Sequence, residues 1–411
     1  MNRRAFLRIA GLVGGAVMLD GLGLVAYGDS SSGASNVSQA PLPPIDSTGA
    51  SDVTSDLQAW LNSVPDGSRL IVPPGARYRI DGTLAIRGKK HWTITCPKGT
   101  KPVFTGEAAE GARERAQWFL DDCEDIKFHR IRTEGSNRRY VYNVALESQS
   151  AWWIAGCKRV ELSECEAEWT YGDFVQVQGD TIKDVGHPYA AGAWIHDCTT
   201  RHIGRIVLVT NNVRNVLFEK NRCHENKRSF WDAEPNFLDQ QVEHIYIQDN
   251  VIGSSQAVSA HFEASGGKPT DRPVQNIIVQ RNHFEGVSAS LKFGLPRGTY
   301  PTRFARRQHI YWSQNHSTTP TTFPYALSFK ETNFVYARDN TQKIGASRHY
   351  MALIGCCGWN NNSTRPNNVT RPDGSAHSMY SVTKLCNVTP APDSIPSRVP
   401  EPPPVWPFTE A

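Results

Sequence analysis

The sequence predicts an all-β protein, a right-handed parallel β-helix (solenoid) with a short N-terminal capping helix. Three observations carry this. First, five segments repeat one pattern of a polar pair, alternating apolar residues, a charged turn and then asparagine: VRNVLFEKN (213–221), VEHIYIQDN (242–250), VQNIIVQRN (274–282), RQHIYWSQN (307–315) and TNFVYARDN (332–340). Their closing residues Asn221, Asn250, Asn282, Asn315 and Asn340 lie 29, 32, 33 and 25 residues apart, which suits one irregular coil of short strands per interval. Second, the apolar residues alternate with period two, separated by Asn, Asp, Gly and Pro, and no long amphipathic helix follows residue 65. Third, a propeller needs four strands in each unit of about 40–50 residues, more than these intervals hold. A recurring turn asparagine tolerates left-handed backbone and hydrogen-bonds the next asparagine of a stack.

The elements follow in chain order. Residues 1–28 open with Arg3-Arg4, Phe6-Leu7 and an apolar run to Ala26. This resembles a twin-arginine export signal and implies a secreted or periplasmic protein with no stable membrane span after cleavage. Residues 29–45 are rich in Ser, Gly and Pro and read as a flexible linker. The β-helix is expected over 46–389. Its entry is a capping helix within Ser51–Leu61, with Thr54 or Ser51 as N-cap and Leu57, Trp60 and Leu61 on one face. Weaker repeat copies stand at 90–96, 123–130 and 157–164. Residues 390–411 are proline-rich and read as an outer strap or a linker.

Composition narrows the partners. With 44 basic and 40 acidic residues and no long basic block, nothing favours nucleic acid. The 11 tryptophans serve either core packing or sugar stacking. Nine cysteines leave at least one thiol unpaired, and Cys123 and Cys157 open similar segments, as small residues stacked in neighbouring coils do. No zinc spacing, phosphate-cradling loop, nucleophile elbow or EF-hand loop is present, so neither metal nor cofactor is expected. The chain reads as a monomer.

A second strand series lies between the asparagine-terminated segments: 172–179, 204–211, 228–236, 257–265, 288–295 and 325–332. Alternation sends Trp231, Ala233, Ala260, Phe262, Leu291, Phe293, Leu327 and Phe329 inward. Asp232, Glu234, His261, Glu263, Lys292 and Lys330 then form a column on one outer face. Adjacent coils lie about 4.8 Å apart, so carboxyl groups there take the close and wide spacings at which glycosidases use paired acids. Crowded acids also raise one another's pKa, which supplies a protonated donor. The catalytic candidates are Asp232, Glu234, Glu263 and, at the start of a strand, Asp173. His261, Lys292, Arg205, His202, Lys330 and Trp231 are the candidates for substrate contact. An exposed sheet face also carries charges for ordinary cross-strand pairing, and a one-residue slip in register destroys the column.

Leu57-Gln58, Pro65-Asp66-Gly67, Val72-Pro73-Pro74-Gly75 and Tyr78, together with the repeats, resemble the pectin-lyase-like β-helix superfamily over roughly 46–345. The resemblance implies the fold and a polysaccharide or oligosaccharide partner. It leaves the reaction open, because hydrolases, lyases, epimerases and non-catalytic adhesins share that superfamily. Pectate-lyase-like members use acidic calcium sites and a basic residue, for which Asp232, Glu234 and Glu263 with Lys292 or Arg205 would serve. The Asp-rich motifs of polygalacturonase-type hydrolases are absent. The expectation is a glycoside hydrolase, with a uronic-acid lyase or epimerase and a non-catalytic carbohydrate-binding β-helix as alternatives.

Overall fold

A computed structural model describes residues 39–106, 116–179, 190–235, 240–253, 260–264, 274–293, 307–321, 325–330, 332–345, 349–356, 359, 361–364, 367–370, 380–385 and 397–400. The expected export signal and both Cys357 and Cys386 lie outside these residues.

Parallel strands of the described residues build three sheets of eleven, twelve and eleven strands, and each coil contributes to all three in turn. The result is the expected right-handed parallel β-helix. The five repeats occupy the first sheet in one register: Val213, Val242, Val274, Arg307 and Thr332 are successive partners. The copies at 90–96, 123–130 and 157–164 precede them in the same sheet. Within each repeat, Asn215, His244, Asn276, His309 and Phe334 take left-handed φ of 54–59° and drop out of the pairing. The polar pair of the pattern therefore marks a stacked bulge running along the sheet.

The closing asparagines form a ladder. Asn221 donates its backbone N–H and Nδ2 to Asn250 Oδ1 at 2.9 and 3.1 Å. Asn250 does the same to Asn282, and Asn282 to Asn315. Asn367 extends the ladder beyond Asn340. The asparagines are not themselves left-handed. The residues before them are: Lys220, Asp249, Arg281, Gln314 and Asp339 have φ of 54–58°. Asparagine is selected here for its amide, and the bend falls one residue earlier. At the same corner in earlier coils stand Cys165 and Cys198, and the Cys198 N–H donates to Asn221 Oδ1. Cys123 and Cys157 stack at another corner, as expected, with the Cys123 N–H 3.3 Å from Cys157 Sγ. All seven described cysteines are buried.

The interior is filled by aromatic contacts that pass from coil to coil, through Phe104, Trp118, Phe128, Trp152, Phe174, Phe218, Phe230 and Phe262 to Trp312. Trp92, Trp118, Trp152, Trp231 and Trp312 are fully buried, so core packing is the role of these five. The helix Thr54–Ser63 buries Leu57, Trp60 and Leu61 over the first coils. Neither Thr54 nor Ser51 caps it. Asp52 Oδ1 accepts the Thr54 N–H, and the Gln58 amide pairs with both backbone groups of Ala85, closing the edge of the third sheet. Gln39–Pro41, within the expected linker, already pairs in the first sheet. Val399 of the proline-rich tail packs on an outer apolar ridge of Leu217, Tyr246, Ile278, Tyr311 and Tyr336. Among the described residues, no helix is long and apolar enough to cross a membrane.

Candidate active site

The second strand series forms the third sheet. Trp231, Phe262, Leu291, Leu327 and Met351 are successive inward partners. Their apolar contacts hold the register one residue on, where Asp232 pairs with Glu263 and Glu263 with Lys292. The expected column therefore exists for these three residues. Lys330 does not join it: Ser328 is the partner of Lys292, and Lys330 lies two residues further along, exposed.

Burial divides the acids. Asp232, although on the outer face, is only 5% exposed, and its Oδ1 is buried without a hydrogen-bond partner. The Glu234 and Glu263 side chains are 29% and 18% exposed. Desolvation raises the Asp232 pKa well above the carboxylate range, and the charges of Glu234 and Glu263 and a hydrogen bond with Glu234 add to it, while Arg205 opposes. Asp232 is thus the group of this set most favoured to hold a proton.

Arg205 ties the cluster together from the neighbouring coil. Its Nη1 donates to Asp173 Oδ2 at 2.9 Å, and its Nη2 lies 3.0 and 2.9 Å from the two Glu234 oxygens. Asp173 is wholly buried. Its other oxygen accepts the Ile206 N–H, and its own N–H donates to Ser150 Oγ. Burial pushes the Asp173 pKa up to about 7 against the pull of Arg205. For Arg205, burial disfavours the charge, but Asp173, Glu234 and Glu147 outweigh it and raise the pKa.

Four contributors escaped the sequence reading. Ser229 Oγ donates to Glu263 Oε1 at 2.8 Å. Ser290, the register partner of His261, bonds its Nδ1 at 2.8 Å, while His261 Nε2 stands 3.4 Å from Glu263. Glu147 lies 3.5 Å from Arg205 Nε and accepts the Tyr142 hydroxyl at 2.6 Å. Aligning 257–265 with 288–295 would have found Ser290. Glu147 and Tyr142 sit in a segment outside the repeat and gave no signal.

Two expected substrate contacts are corrected. Trp231 is fully buried, with Nε1 donating to Thr210 Oγ1 at 3.0 Å, so it offers no face to a sugar. His202 stacks on Trp169 with centroids 3.7 Å apart and pairs with Glu225 at 2.6 Å, partners distinct from those of Arg205. Arg205 already engages both Glu234 oxygens, which a calcium ion would otherwise need as ligands.

No family model matches the chain, and no curated protein matches it in sequence. Solved structures do match in shape. The Yersinia enterocolitica family 28 exopolygalacturonase aligns with TM-score 0.52 and 9% identity over 87% of this chain and 79% of its own. The polygalacturonase of Erwinia carotovora ssp. carotovora aligns with TM-score 0.51 and 10% identity over 85% and 97%. This chain has the parallel β-helix fold of these polygalacturonases. The pre-mature bacteriophage phi29 gene product 12 aligns with TM-score 0.54 and 12% identity over 82% of this chain, and the match spans 51% of that longer protein. At these identities the likeness is one of fold.

Proposed function

We propose that the outer face of the third sheet around Asp232 is a glycan-cleaving site and that the protein is a polysaccharide-active enzyme, a glycoside hydrolase. The observation that carries this reading is the buried Asp232 carboxyl, favoured in its protonated form, beside Glu234 and opposite the more exposed Glu263. Asp232 holds the proton delivered to the glycosidic oxygen, Glu234 hydrogen-bonds to it, and Glu263 is the carboxylate partner. Arg205 holds Glu234 in place, and Ser229 orients Glu263.

As the C–O bond breaks, the proton passes to the leaving oxygen, Glu263 takes a proton from the attacking water, and the hydroxyl ends on the anomeric carbon. Lys292, the register partner of Glu263, and His261 would contact hydroxyl or acidic groups of the glycan.

Digestion of a glycan panel tests this, read by new reducing ends and by ultraviolet absorbance. Reducing ends without absorbance support hydrolysis. Absorbing, unsaturated products would transfer the site to a lyase, and binding without any cut bond would make it a recognition surface.

A further inference from the structure

A groove of about 540 Å³ opens near the N-terminal coils, with Arg77, Arg138, Ser136 and Tyr171 in its walls and Gly49 in its lining. Its chemistry differs from that of the acid cluster. Arg77 Nη2 and Arg138 Nη2 both donate to the same oxygen, Glu134 Oε2, at 2.9 Å each. Arg132 takes Glu134 Oε1 at 2.7 Å and is balanced by Glu168 at 2.9 Å. Among the described residues, one buried carboxylate oxygen therefore serves two guanidinium groups, leaving one positive charge in excess. Glu134 is buried, whereas the Arg77 and Arg138 side chains are about half exposed. Each guanidinium carries five N–H donors, and the shared oxygen engages only one from each.

The two arginines are held in position. Gly49 has φ +82°, and a Cβ there would lie 3.0 Å from Arg77 Cγ, so glycine lets the arginine stem lie flat on its loop. The Asp46 carboxylate fixes that loop by accepting the N–H groups of Thr48 and Ser51. Arg138 lies 5.7 Å over the Trp169 ring. A pair of fixed guanidinium forks with surplus charge matches the oxygens of a carboxylate or a sulfate ester, which it grips bidentately. Tyr171 lines the same groove.

We propose that Arg77 and Arg138 form a second binding site, for an oxyanion carried on a glycan, apart from the cleaving acids. The glycan nature of the ligand rests on the function proposed above; the oxyanion site does not.

The test measures binding of dextran sulfate, carboxymethyl dextran and neutral dextran to the full chain by calorimetry. The variants are Arg77→Gln/Arg138→Gln and, as a control at an exposed lysine of another coil, Lys343→Gln. The site predicts salt-sensitive binding of at least one anionic dextran, weakened at least tenfold in the double arginine variant and unchanged in Lys343→Gln. Sulfate and carboxylate are told apart by which polymer binds. Binding is read with no cleavage step, so the result stands whether or not a glycan is ever cut, which separates failure of the site from failure of the enzyme reading. Equal affinity in the double variant, with its fold checked by circular dichroism, would overturn the proposal, as would neutral dextran binding as tightly.

Discussion

Asp232 and Glu263 are register partners on adjacent strands of the third sheet, and burial separates their roles. Asp232 is sealed beneath the face with one oxygen unpartnered, while Glu263 reaches the surface and accepts a hydrogen bond from Ser229. Two carboxyl groups one strand apart thus differ in what they can do: one stores a proton and the other meets a ligand.

Glu263→Gln should lower kcat on any cleaved glycan by about 100-fold or more, the usual scale for a lost general base. Ser229→Ala should cost less, about tenfold, because it only orients the carboxylate. Steady-state kinetics on both variants would check the order, and a larger loss for Ser229→Ala would assign Glu263 a minor role.

Arg205 counters three acids from one buried position. Arg205→Met should destabilise the protein by about 3 kcal/mol or more at pH 8, because buried carboxylates lose their partner. Denaturant unfolding would measure this. Adding Asp173→Asn should recover part of the loss.

The raised pKa of Asp173 makes stability depend on pH in a definite direction. The folded state holds the proton up to about 7, whereas the unfolded chain releases it near the ordinary 3.8. The associated stabilisation is complete below about pH 4 and is lost as pH rises to about 7, on the order of 4 kcal/mol. Asp232, also raised, acts in the same direction. Thermal melts from pH 4 to 8 should therefore fall for the wild type and fall less for Asp173→Asn.

Asn250→Ala removes the acceptor for two donors of Asn221, both buried. An unsatisfied buried donor costs about 1–3 kcal/mol, so the variant should lose about 3 kcal/mol in total. Asn250→Asp keeps an acceptor and should lose less at a pH where the carboxyl is protonated. Chemical unfolding of the pair would compare them.

The fold was legible because a solenoid writes its period into the chain. Asparagine ends each repeat for a side-chain reason that no other residue duplicates, and the ladder stacks those ends. The pairing of Asp232, Glu263 and Lys292 was legible too, because Trp231, Phe262 and Leu291 align as inward neighbours. Other features were not. Alternation places Asp232 outside but says nothing of what seals that face. The bond from Arg205 to Asp173 and Glu234 spans 32 and 29 residues around a corner whose geometry no repeat encodes.

The central claim is that the Asp232 proton drives glycan cleavage. Asp232→Asn keeps the shape and buries no charge, so its melting temperature should match or exceed that of the wild type. Reducing-end release on a cleaved glycan should nevertheless fall at least 100-fold. A variant that cleaves at the wild-type rate would contradict the account and move the chemistry away from this face.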